Sequence, residues 1–239
     1  MEKRIISSLV ILPIVMTLLS GVRASARTYA TSFSLTENPI SEGGKWTNGA
    51  SSGVDWNNVS TTPGLAIGHQ PGNVQYTDGT ALLTGSWGAS QSAQGTVYIG
   101  PTYESDYPEV EIRLRSSLTA HSCTGYEIAF KAINSNQSYI IIVKWNGKVG
   151  NFTMLAKLVG PQYGLRNGDV VAATIIGNVI TAYINGEQKA QVTDNTYSSG
   201  NPGIGFNFDC HGACKGKNNG YGFKSFSVMD GYNTQPPPP

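Results

Sequence analysis

Apolar and polar residues alternate along much of this chain. In the segment PEVEIRLRSS, residues 108–117, the apolar Val110, Ile112 and Leu114 are separated by charged side chains. Successive side chains of a β-strand point to opposite faces of the sheet, so this segment is predicted to be a strand with one apolar and one charged face. The segment TGYEIAFKAI, residues 124–133, repeats the alternation and predicts a second strand.

Glycine and asparagine separate the later strands at short intervals. Residues 138–158 predict a hairpin around Asn146-Gly147, a dipeptide that suits the positive φ angles of a type I′ turn. Residues 169–194 predict two more turns, at Gly177-Asn178 and Asn185-Gly186. The segments PGIGFNF and YGFKSFSVMD add two strands, and no window predicts an amphipathic helix. The predicted fold class is all-β, an antiparallel β-sandwich.

The two ends of the chain differ from the strand-rich part. Residues 1–26 begin with charged side chains, continue with the apolar run Leu9 to Leu19 and end in Ala24-Ser25-Ala26, a pattern typical of a secretory signal peptide. The apolar run is too short to span a bilayer. Residues 27–231 are predicted to form one domain, and the proline-rich residues 232–239 a tail or the beginning of a linker. We expect a secreted or extracellular protein, with the periplasm as an alternative.

The charge of the predicted mature chain argues against some partners. Removing residues 1–26 takes away three of the 16 basic and one of the 15 acidic residues, which leaves 213 residues with a net charge of −1. A near-neutral chain without a basic run attracts neither nucleic acid nor an anionic membrane surface. We therefore expect no nucleic-acid partner and no membrane insertion, and the oligomeric state stays open.

Two quoted segments and the order of the strands carry a family resemblance. GNVITAYINGE, residues 177–187, is a strand followed by an Asn-Gly turn, and FSLTENPISEGGKWTNG, residues 33–49, contains a tryptophan after a glycine pair. Together they resemble the concanavalin A-like lectin/glucanase superfamily, in its laminin-G-like bacterial secreted branch. The resemblance implies a jelly roll of two antiparallel sheets, with a carbohydrate site on a concave face or its rim. The same fold carries lectins, binding modules, glycosidases, lyases and adhesion domains, so it does not decide the function.

The charged face of the first strand holds the candidate catalytic groups. Glycosidases of that superfamily carry carboxylates on one strand in an E-x-D-x-x-E pattern, because alternate residues share a face and retaining hydrolysis needs two carboxylates about 5 to 5.5 Å apart. Here the row is Glu109, Glu111, Arg113 and Arg115, without the central Asp and the last Glu. A solvated outer face with cross-strand ion pairs is the favoured interpretation. Catalysis by the two glutamates and a glycan-binding groove are the alternatives.

Lyases of the same fold use an Arg, a His or amide, and a Tyr to neutralise a uronate and remove its proton. Arg113, Arg115, His121 and Tyr126 supply these residue types, but the motifs of the alginate-lyase family are absent. His121, in TAHSCTG, is better explained as a polar loop residue. A lyase therefore stays an alternative on residue types alone.

Tryptophan residues are a second set of candidates, because an aromatic ring stacks on the apolar face of a sugar while polar groups bind its hydroxyls. Trp46 and Trp145 are expected in the core or at the rim. Trp56 and Trp87 have polar sequence neighbours and are the better binding candidates. The predicted carbohydrate-binding residues are Trp56, Trp87, Asp55, Asn57, Glu111, Arg113, Arg115, Asp209 and His211.

The loop DCHGACKG, residues 209–216, places His211 between Cys210 and Cys214. Zinc needs about four ligands and Asp209 is the remaining nearby donor, so a metal site is not favoured. In an oxidising compartment the two cysteines are expected to form a disulfide, with pairing of Cys123 to one of them as the alternative. The stapled loop would hold His211 and Asp209 at the mouth of a sugar groove.

No cofactor is predicted from the sequence. A structural calcium ion is an open alternative, since members of the superfamily often hold one near the chain ends, and Asp230 with Glu37 or Asn38 would be its ligands. The leading functional hypothesis is a secreted, lectin-like carbohydrate-binding module that recognises a polysaccharide or cell-surface glycan. The alternative is a glycan-active enzyme, either a glycoside hydrolase or a polysaccharide lyase. A structural or adhesion domain is the third hypothesis.

Overall fold

The alternating segments form long strands in the structure. The computed structural model describes residues 26–49, 55–70, 78–101, 107–119, 121–209, 216–217 and 220–231. Among them there is one short 3₁₀ turn, no α-helix, and no helix long and apolar enough to cross a membrane. The strands are β1 Thr28–Thr31, β2 Trp46–Asn48, β3 Val59–Thr62, β4 Leu65–Gln70, β5 Gly79–Leu83, β6 Gln91–Ile99, β7 Tyr107–Thr119, β8 Ser122–Lys131, β9 Tyr139–Gly147, β10 Phe152–Val159, β11 Val170–Ile176, β12 Val179–Ile184, β13 Glu187–Thr193, β14 Asn201–Asp209, β15 Gly216–Lys217 and β16 Tyr221–Asp230.

These strands form two antiparallel sheets. A nine-stranded sheet has the order β13-β12-β11-β6-β16-β4-β15, with β1 paired to β16 and β3 to β4. A seven-stranded sheet has the order β10-β9-β8-β7-β14-β5-β2. Buried apolar side chains from both sheets share one core, so the sheets pack face to face as a sandwich. The predicted all-β sandwich is confirmed.

The predicted hairpins are present, and one of them has a shifted turn. The turns at Gly177-Asn178 and Asn185-Gly186 join β11, β12 and β13 as predicted. In the β9–β10 hairpin, however, Asn146 and Gly147 belong to β9 and residues 148–151 make the turn. β8 continues to pair with β9 as far as Gly147, so the dipeptide stays in the sheet.

The strand β7 separates the core from the opposite face of its sheet. Val110, Ile112 and Leu114 are fully buried in the core between the sheets. The alternate residues Glu109, Glu111 and Arg113 lie on what we call the outer face of the seven-stranded sheet, which points away from the other sheet.

The interpretation of this charged face as solvated is wrong. Glu111 and Arg113 are 0% exposed, and Glu109 is 7% exposed. β7 lies in the middle of its sheet, between β8 and β14, so side chains on neighbouring strands cover its outer face. Trp56, from the loop before β3, adds its ring over the Arg113 guanidinium at 5.5 Å.

Candidate functional site

A buried ionic cluster lies in the middle of the outer face. Its centre is the guanidinium of Arg113 on β7. The guanidinium nitrogens lie 2.5 Å from a carboxylate oxygen of Glu111, 2.8 Å from Glu127 and 3.3 Å from Asp78. Glu127 pairs with Arg113 across β7 and β8, and Asp78 directly precedes β5. Strands from distant parts of the sequence thus bring one cation among three carboxylates.

Glycines in β14 make room for this cluster. Gly205 pairs with Glu111, and a Cβ atom at Gly205 would lie 2.1 Å from Glu111 Oε2 and 2.9 Å from Arg113 Nε. At Gly203, on the same face, a Cβ atom would lie 2.2 Å from the carbonyl oxygen of Ala81. Gly205 therefore leaves room for the charged side chains of β7 to reach across β14, and Gly203 leaves room for the close approach of the β5 backbone.

The cluster contains more acidic groups than cations, and burial controls their protonation. Burial raises the pKa of Glu111 well above its ordinary value, and the nearby guanidinium only partly opposes it. Burial and the charge of Glu127 raise the pKa of Asp78 in the same way. For Arg113, burial lowers the pKa, but attraction to Glu111 and Glu127 outweighs burial and the pKa is raised. Arg113 therefore stays charged, and protonation of a carboxyl group is the way to reduce the excess negative charge.

The same three carboxylates are the metal-ligand candidates of the described residues. Asp78, Glu111 and Glu127 offer oxygen atoms within 4.8 Å of one another. The Arg113 guanidinium already contacts all three. Because the protein supplies the positive charge itself, these residues fit an ion-pair cluster better than a metal centre.

A pocket of about 250 Å³ opens beside this cluster on the outer face. We call it the outer-face pocket. Its aromatic lining consists of Tyr107, Tyr139, Trp145 and Phe152. Its polar lining consists of Asp78, Glu109, Glu127, Asn207 and Lys157.

Glu109 is the acidic group of the pocket with the clearest acid–base character. The hydroxyl of Tyr139 donates to Glu109 Oε1, and Asn207 Nδ2 donates to Oε2 at 2.8 Å. Burial raises the pKa of Glu109 to about 7, although both hydrogen bonds act in the opposite direction. The same burial, together with the charge of Glu109, raises the pKa of Tyr139. Glu109 can therefore hold or release a proton near neutral pH.

Tryptophan rings support the opposite end of the pocket. Trp145 donates its indole N–H to Glu127 Oε2 at 2.5 Å. Trp56 packs edge-on against Trp145, with 4.5 Å between ring centroids, and is 1% exposed. Trp145 lines the pocket, whereas Trp56 lies behind it as a buried support.

The pocket rim offers the groups that a ligand would meet first. Tyr107 is 42% exposed and Met154 is 48% exposed. Phe152 is half-buried and packs edge-on against Trp145. The ammonium of exposed Lys157 lies 5.7 Å from the ring centroid of Tyr139. The rim is thus aromatic and apolar, with one lining cation.

Arg115 does not belong to the site, contrary to the prediction. The pairing of β7 with β8 is irregular between Leu114 and Ser117, and Arg115 has a positive φ of 45°. This bulge turns the Arg115 side chain to the carbonyl oxygens of Ala89, Tyr197 and Gly177. Arg115 therefore connects three loop segments through hydrogen bonds to their carbonyl groups.

The structure also separates the residues of the lyase hypothesis. The His121 ring contacts Asp55 at 3.3 Å in an exposed pair. Tyr126 lies on the core face of β8 and donates its hydroxyl to Asp194 at 2.7 Å. Arg113 is fully buried among three carboxylates, so the predicted Arg, His and Tyr set is not brought together.

Other residues that were predicted to bind a ligand make contacts within the protein. Trp87 packs in the core under the guanidinium of Arg27, at 4.2 Å. The peptide N–H of Asn57 donates to the carbonyl of Asp78 at 3.1 Å, so Asn57 positions a member of the ionic cluster. The calcium candidate Asp230 accepts hydrogen bonds from the backbone N–H groups of Arg27 and Gly88.

The cysteine predictions have different outcomes. Cys210, His211 and Cys214 lie outside the described residues, and their disulfide stays a prediction. Asp209 is the last residue of β14 and pairs with Tyr107, so this strand end lies beside the pocket. Cys123 is a free, buried thiol, which contradicts its pairing with a loop cysteine.

Sequence reasoning missed several important side chains. Glu127 shares the outer face with Glu109 and Glu111, and its place in the alternating segment GYEIAFK was a usable signal. Asp78, Tyr139 and Asn207 could not be assigned to this face without the strand order.

Comparisons with known proteins identify solved structures with a similar fold. No protein-family model matches the sequence, and no curated protein matches it. Solved structures do match. The carbohydrate-binding module CBM66 from Bacillus subtilis is 15% identical with a TM-score of 0.51, over 80% of this chain and 95% of that chain. The CBM2 module of the evolved Dit protein of Lactobacillus casei BL23 phage J-1 is 13% identical with a TM-score of 0.52, over 86% and 97%.

A third similar structure is an enzyme. The kappa-carrageenase from Pseudoalteromonas carrageenovora is 10% identical with a TM-score of 0.53, over 90% of this chain and 99% of that chain. The chain shares an antiparallel β-sandwich fold with these proteins. At these identities the likeness gives the fold alone, and the laminin-G-like branch stays a prediction.

Proposed function

We propose that this protein is a secreted carbohydrate-binding module and that its glycan binds in the outer-face pocket. The observation that carries the proposal is the lining of this pocket, which combines aromatic rings with carboxylate, amide and ammonium groups. Rings stack on the apolar faces of sugars, and the polar groups bind sugar hydroxyls. The likeness to carbohydrate-binding modules in fold supports the same interpretation.

The charges of the pocket favour an uncharged glycan. Asp78, Glu109 and Glu127 line it, against one lining cation, Lys157. The cation of the ionic cluster, Arg113, is fully buried and already contacts three carboxylates. A uronate or sulfate group would therefore meet three acidic groups of the lining and the single ammonium of Lys157.

The test begins with a glycan array and polysaccharide depletion, followed by titration calorimetry with the best ligand. Tyr107→Ala and Phe152→Ala should each weaken binding roughly two- to tenfold, because each removes a ring from the pocket rim. Tyr98→Ala is the matched control, since Tyr98 is a half-buried aromatic residue on β6 of the other sheet. Wild-type protein that binds no glycan, or equal weakening by Tyr98→Ala, would contradict the proposal and favour a structural or adhesion domain.

A glycoside hydrolase is the second candidate, and a specific observation favours it. Two carboxyl groups, Glu109 and Glu127, line the same pocket, and the pKa of Glu109 is raised to about 7. Glu109 has the protonation behaviour of a general acid. Glu127 lies 2.8 Å from the Arg113 guanidinium and accepts the indole N–H of Trp145.

Hydrolysis is tested by the release of reducing ends from each bound glycan. As a hydrolase, the protein should lose at least roughly 100-fold in rate with Glu109→Gln while keeping glycan affinity. Its rate should fall as the pH rises above about 7, because Glu109 then loses the proton it must donate. Binding without any release of reducing ends would leave the binding module as the function.

A further inference from the structure

Arg27, the residue after the predicted cleavage motif, is fastened to the end of the last strand. Its backbone nitrogen donates to Asp230 Oδ1 at 2.6 Å, and the Asp230 nitrogen donates to the Arg27 carbonyl at 2.9 Å. Asp230 Oδ2 accepts the backbone N–H of Gly88 at 2.7 Å. Asp230 is 8% exposed, so its carboxylate is a nearly buried acceptor for the backbone nitrogens of Arg27 and Gly88.

The side chain of Arg27 is also fixed by hydrogen bonds. Its guanidinium donates to the carbonyl oxygens of Ser86 at 2.8 Å and Thr84 at 3.0 Å. The guanidinium carbon lies 4.2 Å from the ring centroid of Trp87. Arg27 is therefore positioned by both its backbone and its side chain, whereas Ala26 before it is exposed.

We propose that cleavage between Ala26 and Arg27 creates an N-terminal ammonium group that binds the carboxylate of Asp230. The sequence Ala24-Ser25-Ala26 places the scissile bond directly before Arg27. The proposal rests on the predicted signal peptide and is independent of any glycan-binding function.

The cleavage step converts a neutral donor into a charged one. Water adds to the carbonyl carbon of Ala26, and the bond from that carbon to the Arg27 nitrogen breaks. Ala26 keeps the new carboxylate, and the Arg27 nitrogen becomes an amine that takes up a proton. The ammonium occupies the position from which the peptide N–H already donates to Asp230. A charge-assisted hydrogen bond from the ammonium group then replaces the hydrogen bond from the neutral peptide N–H.

The new ion pair should make the stability of the mature protein depend on pH. A free α-amino group has a pKa of about 7.7 to 8.0, and a neighbouring carboxylate raises it in the folded state. The added stability is therefore fully present below about pH 7.7 and is lost as the pH rises through the raised pKa of the folded protein. Four other charged groups lie near this end of the chain. Two are the Arg27 guanidinium and Arg115, which donates to the Ala89 carbonyl. The others are Glu42 and Lys45, which contact Tyr29 on β1.

Two matched chains test the proposal. One begins at Arg27 and the other at Ala26, so they carry the same charges but differ in the position of the ammonium group. Their melting temperatures are measured at pH 7 and pH 10, with and without Asp230→Asn. The Arg27 chain should melt several degrees higher at pH 7, and the difference should shrink at pH 10 and disappear with Asp230→Asn.

Export of the full chain provides a second measurement that needs no variant. The intact mass of the exported protein should correspond to a chain that begins at Arg27. A different first residue would overturn the proposal, as would equal melting temperatures of the two chains at pH 7. A difference that persists unchanged in Asp230→Asn would overturn the role of this carboxylate.

Discussion

Replacing Glu109 by Gln tests the electrostatics of the pocket most sharply. Glu109 is 7% exposed, and burial raises its pKa from the ordinary 4.5 to about 7. Between these pH values the folded protein keeps a proton that the unfolded chain releases. The free energy of unfolding therefore falls as the pH rises from about 4.5 to about 7, and this contribution stays constant above that range.

The size of the effect follows from the two pKa values. Their difference is about 2.5 pH units, and each unit corresponds to about 1.4 kcal/mol, which gives about 3 kcal/mol. Glutamine has nearly the same shape as the neutral acid and does not titrate. Its amide cannot accept from both Tyr139 and Asn207, but the protonated acid has the same restriction, so the comparison between pH values removes most of this difference.

Urea unfolding of both proteins at pH 4.5 and pH 8 measures the prediction. Glu109→Gln should be close to wild type at pH 4.5 and more stable than wild type by up to about 3 kcal/mol at pH 8. Glu187→Gln is the control, because the Glu187 side chain is 73% exposed and should give a small difference at both pH values. An equal effect of Glu109→Gln at the two pH values would refute the assignment of a buried, high-pKa carboxyl group.

Further predictions concern the ionic cluster and the buried thiol. Gly205→Ala should destabilise the fold by about 1–3 kcal/mol in urea unfolding, since its Cβ would lie 2.1 Å from Glu111 Oε2; an unchanged midpoint would contradict this close approach. Arg113→Met should cost about 3–5 kcal/mol because it leaves buried carboxylates without their cation, whereas exposed Arg166→Met should cost little. Cys123 should react with iodoacetamide at pH 8 only after unfolding, because burial raises its pKa to about 12; fast labelling of the folded protein would argue against this environment.

The sequence predicts the strands of this protein better than their environment. The alternation in β7 and β8 identified both strands, and the hairpins around Gly177-Asn178 and Asn185-Gly186 followed from turn chemistry. The same alternation gave the wrong burial for Glu111 and Arg113, because a charged strand face is normally solvated. Their burial depends on covering residues that are distant in sequence.

The candidate site was only partly predictable for the same reason. Glu109 was identified from its own strand, but its contacts come from Tyr139 on β9 and Asn207 on β14. A bulge after Leu114 turns the Arg115 side chain away from the outer face, and no residue pattern in RLRSS predicts this bulge. The alternating glycines of PGIGFNF were visible in the sequence, and the structure explains Gly205 by the close approach of charged side chains and Gly203 by the close approach of the β5 backbone.

The indole N–H signals of the four tryptophans provide the most direct test of the proposed binding site. They are followed by nitrogen-15 NMR while the glycan identified on the array is added. Trp145 lines the outer-face pocket and Trp56 packs against it, whereas Trp46 and Trp87 lie in the core between the sheets. Saturable shifts of the Trp145 and Trp56 signals are expected, with the other two nearly unchanged. Binding that moves only the Trp46 or Trp87 signals would contradict a glycan site in the outer-face pocket.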